Sequence, residues 1–251
     1  MTTEVDKKLW KYLFPVTESK IQIKDTSGLY YPTSKYKAII REDNSELIAI
    51  QKSSYQLVTN AEVIKPVLEQ LSDLTTDWFI DPSHSFVENN RMRLQITFPE
   101  LTLHDGESEI ALSLFVHNSY DSSEGVRMFW GGIRSICSNG SVFGEVLSRY
   151  YAKHTSGIVV TNLKEQIEDT YDQIPLIKER ISILQDIEAL GDYEEKIPKV
   201  FGKGVADYVD EQPKAANAWL LYNQLTHYIS HEVQQRMRAS YQMKASKMFQ
   251  L

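Results

Sequence analysis

The residues best suited to chemistry lie between Val116 and Gly144, in the stretch VHNSYDSSEGVRMFWGGIRSICSNGSVFG. It contains the only cysteine of the sequence, Cys137. A catalytic cysteine needs a neighbouring base that generates its thiolate, and no cysteine-protease signature surrounds Cys137. We interpret Cys137 as a buried packing residue, because a free cysteine packs as a small hydrophobe.

The glycines of this stretch do not form a known nucleotide-binding loop. The segment GGIRSICSNGSVFG matches neither G-x-x-x-x-G-K-[ST] nor G-x-G-x-x-G, which argues against a nucleotide-hydrolysing enzyme. Arg134 and Asn139 stand among small polar residues that suit contact with a phosphate backbone. Asn139-Gly140 fits an ordinary turn equally well.

Two further patterns resemble metal sites without meeting their requirements. His227 and His231 are four residues apart, on one face of a helix, but a zincin motif would place a glutamate directly after the first histidine. The acidic segment HDGESE at 104–109 lacks the ligand spacing of an EF-hand loop and fits a turn between strands. We expect no metal, no cofactor and no enzymatic activity.

Several weak features together favour nucleic-acid binding. Arg91 and Arg93 share the polar side of a predicted strand, and the last predicted helix carries four basic residues between 236 and 247. Single-stranded nucleic acid is bound by cationic grooves that also offer aromatic stacking surfaces. The candidate aromatic residues, which also fit a hydrophobic core, are Tyr120, Phe129, Trp130, Tyr150 and Tyr151.

Strands and helices that would position these residues follow from hydrophobic periodicity. Strands are predicted at 36–41 and 47–51 as a hairpin, then in 77–101, in 108–121 and in 126–136. A helix capped by Asn60 follows the hairpin, and helical spacing resumes from about residue 162, with an interruption at Pro175 and a linker over 191–204. Core-facing residues of the strand after Arg91 alternate as Met92, Leu94, Ile96 and Phe98.

This pattern predicts an α+β fold, a mixed, largely antiparallel sheet with packed helices, followed by a helical C-terminal region. We expect an N-terminal extension over 1–34, an α+β core over 35–161 and a helical region over 162–251. The helical region is packed on the core or used in assembly.

Charge is distributed unevenly along the 251 residues, whose net charge is −7. Residues 165–211 hold 13 acids and 5 bases, so this segment alone carries −8. Overall acidity lowers the expectation of nucleic-acid binding but leaves room for a local basic face. The sequence has no signal-peptide pattern and no run of apolar residues long enough for a membrane span, so we expect a cytoplasmic protein.

Ordered motifs resemble family 932 of the domains of unknown function, a group of phage and plasmid proteins. They are YQLVTNAE, the loop NSYDSS, the block RSICSN, the step KHT, and NAWLLYNQLTHY in a C-terminal helix. The resemblance covers roughly residues 35–245. The family positions in this sequence are Tyr55, Gln56, Asn60, Asn118, Ser119, Asp121, Ser123, Arg134, Cys137, Ser138, Asn139, His154 and Thr155.

This resemblance implies a mobile-element setting, in the cytoplasm of the host cell. The order of predicted elements is also similar to that of phage single-strand annealing proteins, which bind DNA as oligomeric rings. From these motifs we expect Arg134, Asn139, Lys153 and His154 to face the ligand, while Asn118 and Asp121 brace the loop through Asx turns. Arg91 and Arg93, on the polar side of their strand, are further candidate nucleic-acid contacts.

The leading hypothesis is therefore an oligomeric protein that binds, and in doing so anneals, single-stranded DNA in recombination or replication. The first alternative is a phage interaction protein, either a virion component or an inhibitor of a host defence factor, which docks through its acidic helix. The second is a hydrolase or nuclease, for which no spaced set of carboxylates or histidines is present.

Overall fold

The structure is a computed structural model that describes residues 9, 11–73, 76–82, 84–88, 90–106, 108–134, 140–142, 149–152 and 163–251. For 133–134, 140–142, 149–152, 163–171 and 235–236 it describes the backbone alone. The strands are β1 Val16–Lys24, β2 Tyr30–Arg41, β3 Leu47–Lys52, β4 Phe79–Ile80, β5 Phe86–Glu88, β6 Arg91–His104, β7 Glu109–Ser119, β8 Val126–Arg134, β9 Gly140–Val142 and β10 Arg149–Ala152. The helices are α1 Asn60–Ser72, α2 Leu163–Asp186, α3 Gly191–Glu194, α4 Ile197–Phe201, α5 Lys203–Glu211, α6 Ala218–His231 and α7 Gln235–Phe249. The α+β prediction is confirmed.

A three-stranded antiparallel sheet opens the fold, in the order β1-β2-β3. Ile39 and Ala49 are paired across β2 and β3 and both are buried, so they define the inner side of this sheet. Because side chains alternate along a strand and paired residues share a side, the opposite side is fixed by register. This outer face consists of Thr17, Ser19, Tyr36, Ala38, Ile40, Leu47, Ile50 and Lys52.

A second antiparallel sheet forms the centre, with the order β10-β8-β7-β6-β4 and with β5 on β6 and β9 on β8. The predicted alternation of β6 is confirmed, since Met92, Leu94, Ile96 and Phe98 are all buried in the main hydrophobic core. Across β7 and β8 the same side continues through Leu114 and Trp130, which are paired in register. One side of the long strands β6, β7 and β8 therefore packs into the main hydrophobic core.

Helix α1 begins one residue earlier than predicted. Its N-cap is Thr59, whose Oγ1 accepts a hydrogen bond from the Glu62 backbone N–H at 3.1 Å, while the Glu62 carboxylate accepts from Thr59 N–H at 2.7 Å. This reciprocal pair is a capping box, which explains why Thr59 and not Asn60 holds the cap position. Asn60 is the first helical residue, and it is buried.

The helical region covers the central sheet and completes one core. The main cluster of buried apolar residues includes Ile181 of α2, Trp219 of α6 and Phe249 of α7 beside the strand residues. Two predictions here are wrong. Pro175 lies inside α2, and Ile177 and Ile181 just beyond it are buried, so packing outweighs the hydrogen bond that proline removes.

The second error concerns the predicted linker over 191–204, which instead forms α3, α4 and the start of α5. Its glycine and proline residues stand at the helix ends. Pro198 is in the first turn of α4, and Gly202, with φ 88°, separates α4 from α5. Proline at a helix start and glycine at a helix end are favourable, and they do not indicate an irregular linker.

Candidate nucleic-acid interface

Arg91 and Arg93 both stand on β6 beside the loop that joins β7 to β8. Arg91 is partly exposed. Its Nε donates to Ser123 Oγ at 2.7 Å, and its Nη2 lies 3.8 Å from Asp121 Oδ2. Arg93 is buried, with 7% of its surface exposed, and its Nη2 donates to Glu124 Oε1 at 2.7 Å. Arg91 therefore offers some surface to a ligand, while the guanidinium of Arg93 is engaged inside the protein.

Glu124 also faces His117, which makes a buried three-residue polar cluster. His117 Nδ1 lies 3.4 Å from Glu124 Oε2. Burial lowers the pKa of His117 to about 4, so the imidazole is neutral at neutral pH. Burial by itself would raise the pKa of Glu124, but hydrogen bonds and charges from His117 and Arg93 outweigh it and hold the pKa at about 2. The cluster is thus one buried cation paired with one buried anion.

Several residues of the motifs quoted above belong to a second hydrogen-bonded network, between β7 and the start of α1. Asn118 Nδ2 donates to Val58 O at 3.0 Å and to Asn60 Oδ1 at 2.9 Å. The Asn60 N–H donates to the hydroxyl of Tyr120 at 2.9 Å, and Tyr55 donates its hydroxyl proton to Ser119 O at 3.2 Å. These hydrogen bonds tie the end of β7 to the segment between β3 and α1, so the residues that make them hold the fold together here.

The Asx turn predicted for Asp121 is confirmed, whereas the one predicted for Asn118 is wrong. Asp121 Oδ1 accepts from the Ser123 N–H at 2.9 Å, which is an Asx turn. Asn118 makes no such turn among its described contacts, since its amide binds Val58 and Asn60 instead. The segment HDGESE is likewise a turn between β6 and β7, in which Asp105 Oδ1 accepts from the Ser108 N–H at 2.8 Å.

Most of the predicted phosphate-contacting residues lie outside the part of the chain that the structure describes. The backbone of Arg134 ends β8, but its side chain is not described. Asn139, Lys153, His154 and Cys137 lie outside the described residues. Their predicted roles stay predictions.

The aromatic residues proposed for stacking belong to the core where they are described. Tyr120, Phe129 and Trp130 are each at most 4% exposed. The side chains of Tyr150 and Tyr151 are not described. A nucleic-acid base therefore has no access to the first three.

The structure also shows the contacts of the basic C-terminal helix and of the histidine pair. In α7, Arg238 Nε donates to Val233 O at 2.7 Å, which ties this arginine to the turn before its own helix. The rings of His227 and His231 lie 4.5 Å apart on α6, and His227 Nδ1 is 3.2 Å from the hydroxyl of Tyr208. Within the described ranges, no three histidine, cysteine or acidic residues come together in a way that could hold a metal ion.

An exposed surface that the motifs did not indicate lies at the far end of the β1–β2 hairpin. The register shifts after Lys20, and beyond it the two strands are exposed almost throughout. We call residues 20–36 the arm. It carries Lys20, Lys24 and Lys35 against a single acid, Asp25. The arm is therefore basic, although the whole chain is acidic.

The two sides of the arm differ in character. Lys24 is paired with Tyr30, which is 62% exposed, and Lys24 Nζ lies 5.4 Å from the centre of its ring. By strand alternation Lys20 and Lys24 share this side, which we call the cationic side. Ile23 and Tyr31 are paired on the opposite side, at 57% and 51% exposure.

The tip of the arm is held by its own hydrogen bonds. Asp25 Oδ1 accepts from the backbone N–H groups of Ser27 and Leu29, both at 2.9 Å, and from Ser27 Oγ at 2.7 Å. Gly28 has φ 91°, a left-handed conformation that glycine adopts without strain. The bonds to Ser27 and Leu29 lower the pKa of Asp25. The tip is thus a hydrogen-bonded turn, which fixes the positions of Lys24 and Tyr30 on either side of it.

The described helices include none with the length and apolar character of a membrane span.

Comparison with known proteins gives one result. No curated protein and no solved structure matches the chain. A family model does match, over residues 48–249, and its description is Domain of unknown function (DUF932). The matched residues include β6 to β8, the loop after β7 and all the helices, but neither β1 nor β2 and so not the arm. The chain belongs to the family Domain of unknown function (DUF932).

Proposed function

We propose that this protein binds single-stranded DNA through the cationic side of its arm, in the recombination or replication of a phage or plasmid. One observation carries the binding proposal: Tyr30 is exposed beside Lys24 on a hairpin that projects from the sheet. Exposed aromatic rings stack on bases whatever the sequence, and neighbouring lysines neutralise phosphates. The mobile-element setting follows from the resemblance of the motifs to phage and plasmid proteins.

Geometry favours single strands over duplex DNA. An exposed tyrosine ring can stack on a base only when that base is unpaired and turned outward. Lys20 and Lys24 are four residues apart on one strand, which is roughly 13 Å at 3.3 Å per residue, so together they reach more than one phosphate. The arm is suited to two or three nucleotides of an extended strand.

Gel retardation of a fluorescent single-stranded oligonucleotide tests this proposal. We expect retardation at about 50 mM salt that weakens steeply as salt increases. Tyr30→Ala should weaken binding by roughly 1–3 kcal/mol, the value of one base stacked on an aromatic ring. Lys24→Gln should reduce the slope of log affinity against log salt by about 1.

A matched control separates the effect of a lysine on the arm from the effect of overall charge. Lys65→Gln removes one positive charge from an exposed position on α1, away from the arm, and should leave the slope unchanged. Absence of retardation at low salt would contradict the proposed function. Equal losses for Lys24→Gln and Lys65→Gln would show that overall charge, and not the arm, governs binding.

Arg91, Arg134, Asn139, Lys153 and His154 are proposed as a second contact set for the DNA. Arg91 is the member whose partly exposed side chain is described. Arg134→Ala tests this set in the same assay. A loss of affinity with Arg134→Ala and none with Tyr30→Ala would move the binding site from the arm to the central sheet.

A second candidate function is a protein-docking factor of a phage, and α2 carries the observation that favours it. Leu176 and Ile183 are 50% and 42% exposed, and they alternate with Asp172, Glu179 and Asp186 along one stripe of the helix. An apolar pair bordered by carboxylates fits a basic, apolar partner. Affinity purification with wild-type protein and with a Leu176→Ser, Ile183→Ser variant should show a partner that only the wild type retains.

A further inference from the structure

The outer face of the three-stranded sheet exposes large apolar side chains that the fold leaves uncovered. Ile50 is 59% exposed, Leu47 55% and Tyr36 47%. Register places them on one side, with Ile40 between them, opposite the buried Ile39. Ile23 and Tyr31 add a further apolar pair on the arm.

Exposed apolar residues are more concentrated here than on the rest of the described surface. Of the 11 exposed large hydrophobic residues found in the described ranges, seven lie between residues 23 and 50. Single exposed apolar residues are common, but a contiguous patch marks an interaction site. Lys52 is the one charged residue among the eight outer-face positions.

We propose that the outer face is the contact surface for a second copy of this chain, packed sheet against sheet about a two-fold axis. In such an arrangement each patch meets itself, so a nearly uncharged apolar face is self-complementary, whereas a charged face would repel its copy. Nucleic acid is disfavoured here because its affinity depends on lysine and arginine, and this face has one lysine. Two sheets stack in this way at a separation of about 10 Å.

The face of the whole three-stranded sheet, with the arm included, is close in size to a specific interface. β1, β2 and β3 contain nine, twelve and six residues. Each residue covers roughly 16 Å² of sheet, so the flat face measures about 430 Å² per copy, or about 860 Å² for two, before the relief of the side chains is added. This total is just below the roughly 1,000 Å² of a specific interface, and the relief of the side chains adds to it.

Pairing through the outer face leaves the cationic side of each arm free. A dimer would then present two arms to one DNA strand, and linked binding sites reinforce one another. This consequence rests on the proposed function, whereas the dimer itself does not.

Sedimentation equilibrium of the full chain tests the inference. The wild type should have twice the mass of one chain at micromolar concentration, and Ile50→Glu should have the mass of one chain. Since more than half of the Ile50 side chain faces solvent, the substitution should leave thermal unfolding of the monomer intact. The matched control is Phe79→Glu, which introduces the same charge at a similarly exposed apolar position on β4, outside the outer face, and should leave the dimer unchanged.

A cross-link gives a second, independent measurement. Ile50→Cys should be joined into a covalent dimer by a bismaleimide reagent that spans about 10 Å, the separation of two stacked sheets, while the wild type, whose one cysteine is Cys137, should not. A wild-type monomer at all concentrations would overturn the inference, and so would a dimer that Ile50→Glu does not dissociate. Either result would leave the DNA proposal standing, because retardation is measured separately, and Tyr30→Ala should weaken retardation without changing the mass of the protein.

Discussion

Lowering the pH from about 7 towards 4 should destabilise this protein through His117. Burial lowers the pKa of this histidine from 6.5 to about 4, so the unfolded chain takes up a proton more readily than the folded one. The stabilising effect is complete above the unfolded pKa and is lost as the pH falls through the folded pKa. The difference between the two pKa values corresponds to roughly 3 kcal/mol of unfolding free energy.

Glu124 extends this loss to lower pH. Its pKa is about 2 in the folded protein against 4.5 for the free side chain, because His117 and Arg93 outweigh the opposing effect of burial. A carboxylate with a lowered pKa stabilises the fold above its unfolded pKa, and this stabilisation disappears between about pH 4.5 and 2. The two groups therefore act in the same direction but in successive pH ranges.

Urea unfolding followed by tryptophan fluorescence, repeated from about pH 7 to about pH 4, measures the first range. His117→Gln keeps a polar side chain that does not titrate, so its unfolding free energy should fall by about 3 kcal/mol less than that of the wild type. The pKa of His227 is also lowered by burial, but His227 is present in both proteins and its contribution cancels. Parallel pH curves for the two proteins would refute the reasoning.

Three further substitutions test the contacts that hold the fold. Glu124→Gln removes the negative charge with which buried Arg93 is paired, and should lower the unfolding free energy by roughly 3–5 kcal/mol in urea titrations. Thr59→Ala removes the cap of α1 and should cost about 1 kcal/mol, seen as a lower midpoint in thermal unfolding. Trp219→Phe removes the hydrogen bond from Trp219 Nε1 to Asp105 Oδ2 and should cost roughly 1–3 kcal/mol by urea titration, with an unchanged circular dichroism spectrum.

Periodicity predicted the elements wherever one side of a strand or helix packs into the apolar core. The alternation of Met92 and Leu94 marked β6, and the helical spacing of Ile177 and Ile181 marked α2, because contact of one side with the apolar core imposes that spacing. Pro175 misled the prediction, since local chemistry alone does not show how much packing a helix gains beyond a proline.

The candidate interface on the arm was not predicted, for a different reason. In β1, Ile21 and Ile23 alternate with Lys20 and Lys24, a pattern that reads as a charged extension when no partner strand is known. Only the pairing with β2 shows that Lys24 meets Tyr30. Arg93 was likewise expected on the surface, because an arginine on the polar side of a strand is normally exposed. It is buried by tertiary contacts that the sequence does not show.

The hydrogen bond between Trp219 and Asp105 also has a consequence for synthesis on the ribosome. The two residues are 114 positions apart, and at 5–20 residues per second the second partner is made roughly 6–23 s after the first. During that interval β6 and β7 exist without the helix that covers them, and their apolar side is exposed to other nascent chains. We therefore expect the newly made chain to bind chaperones that shield hydrophobic strands, and expression at low temperature with such chaperones should increase the yield of folded protein.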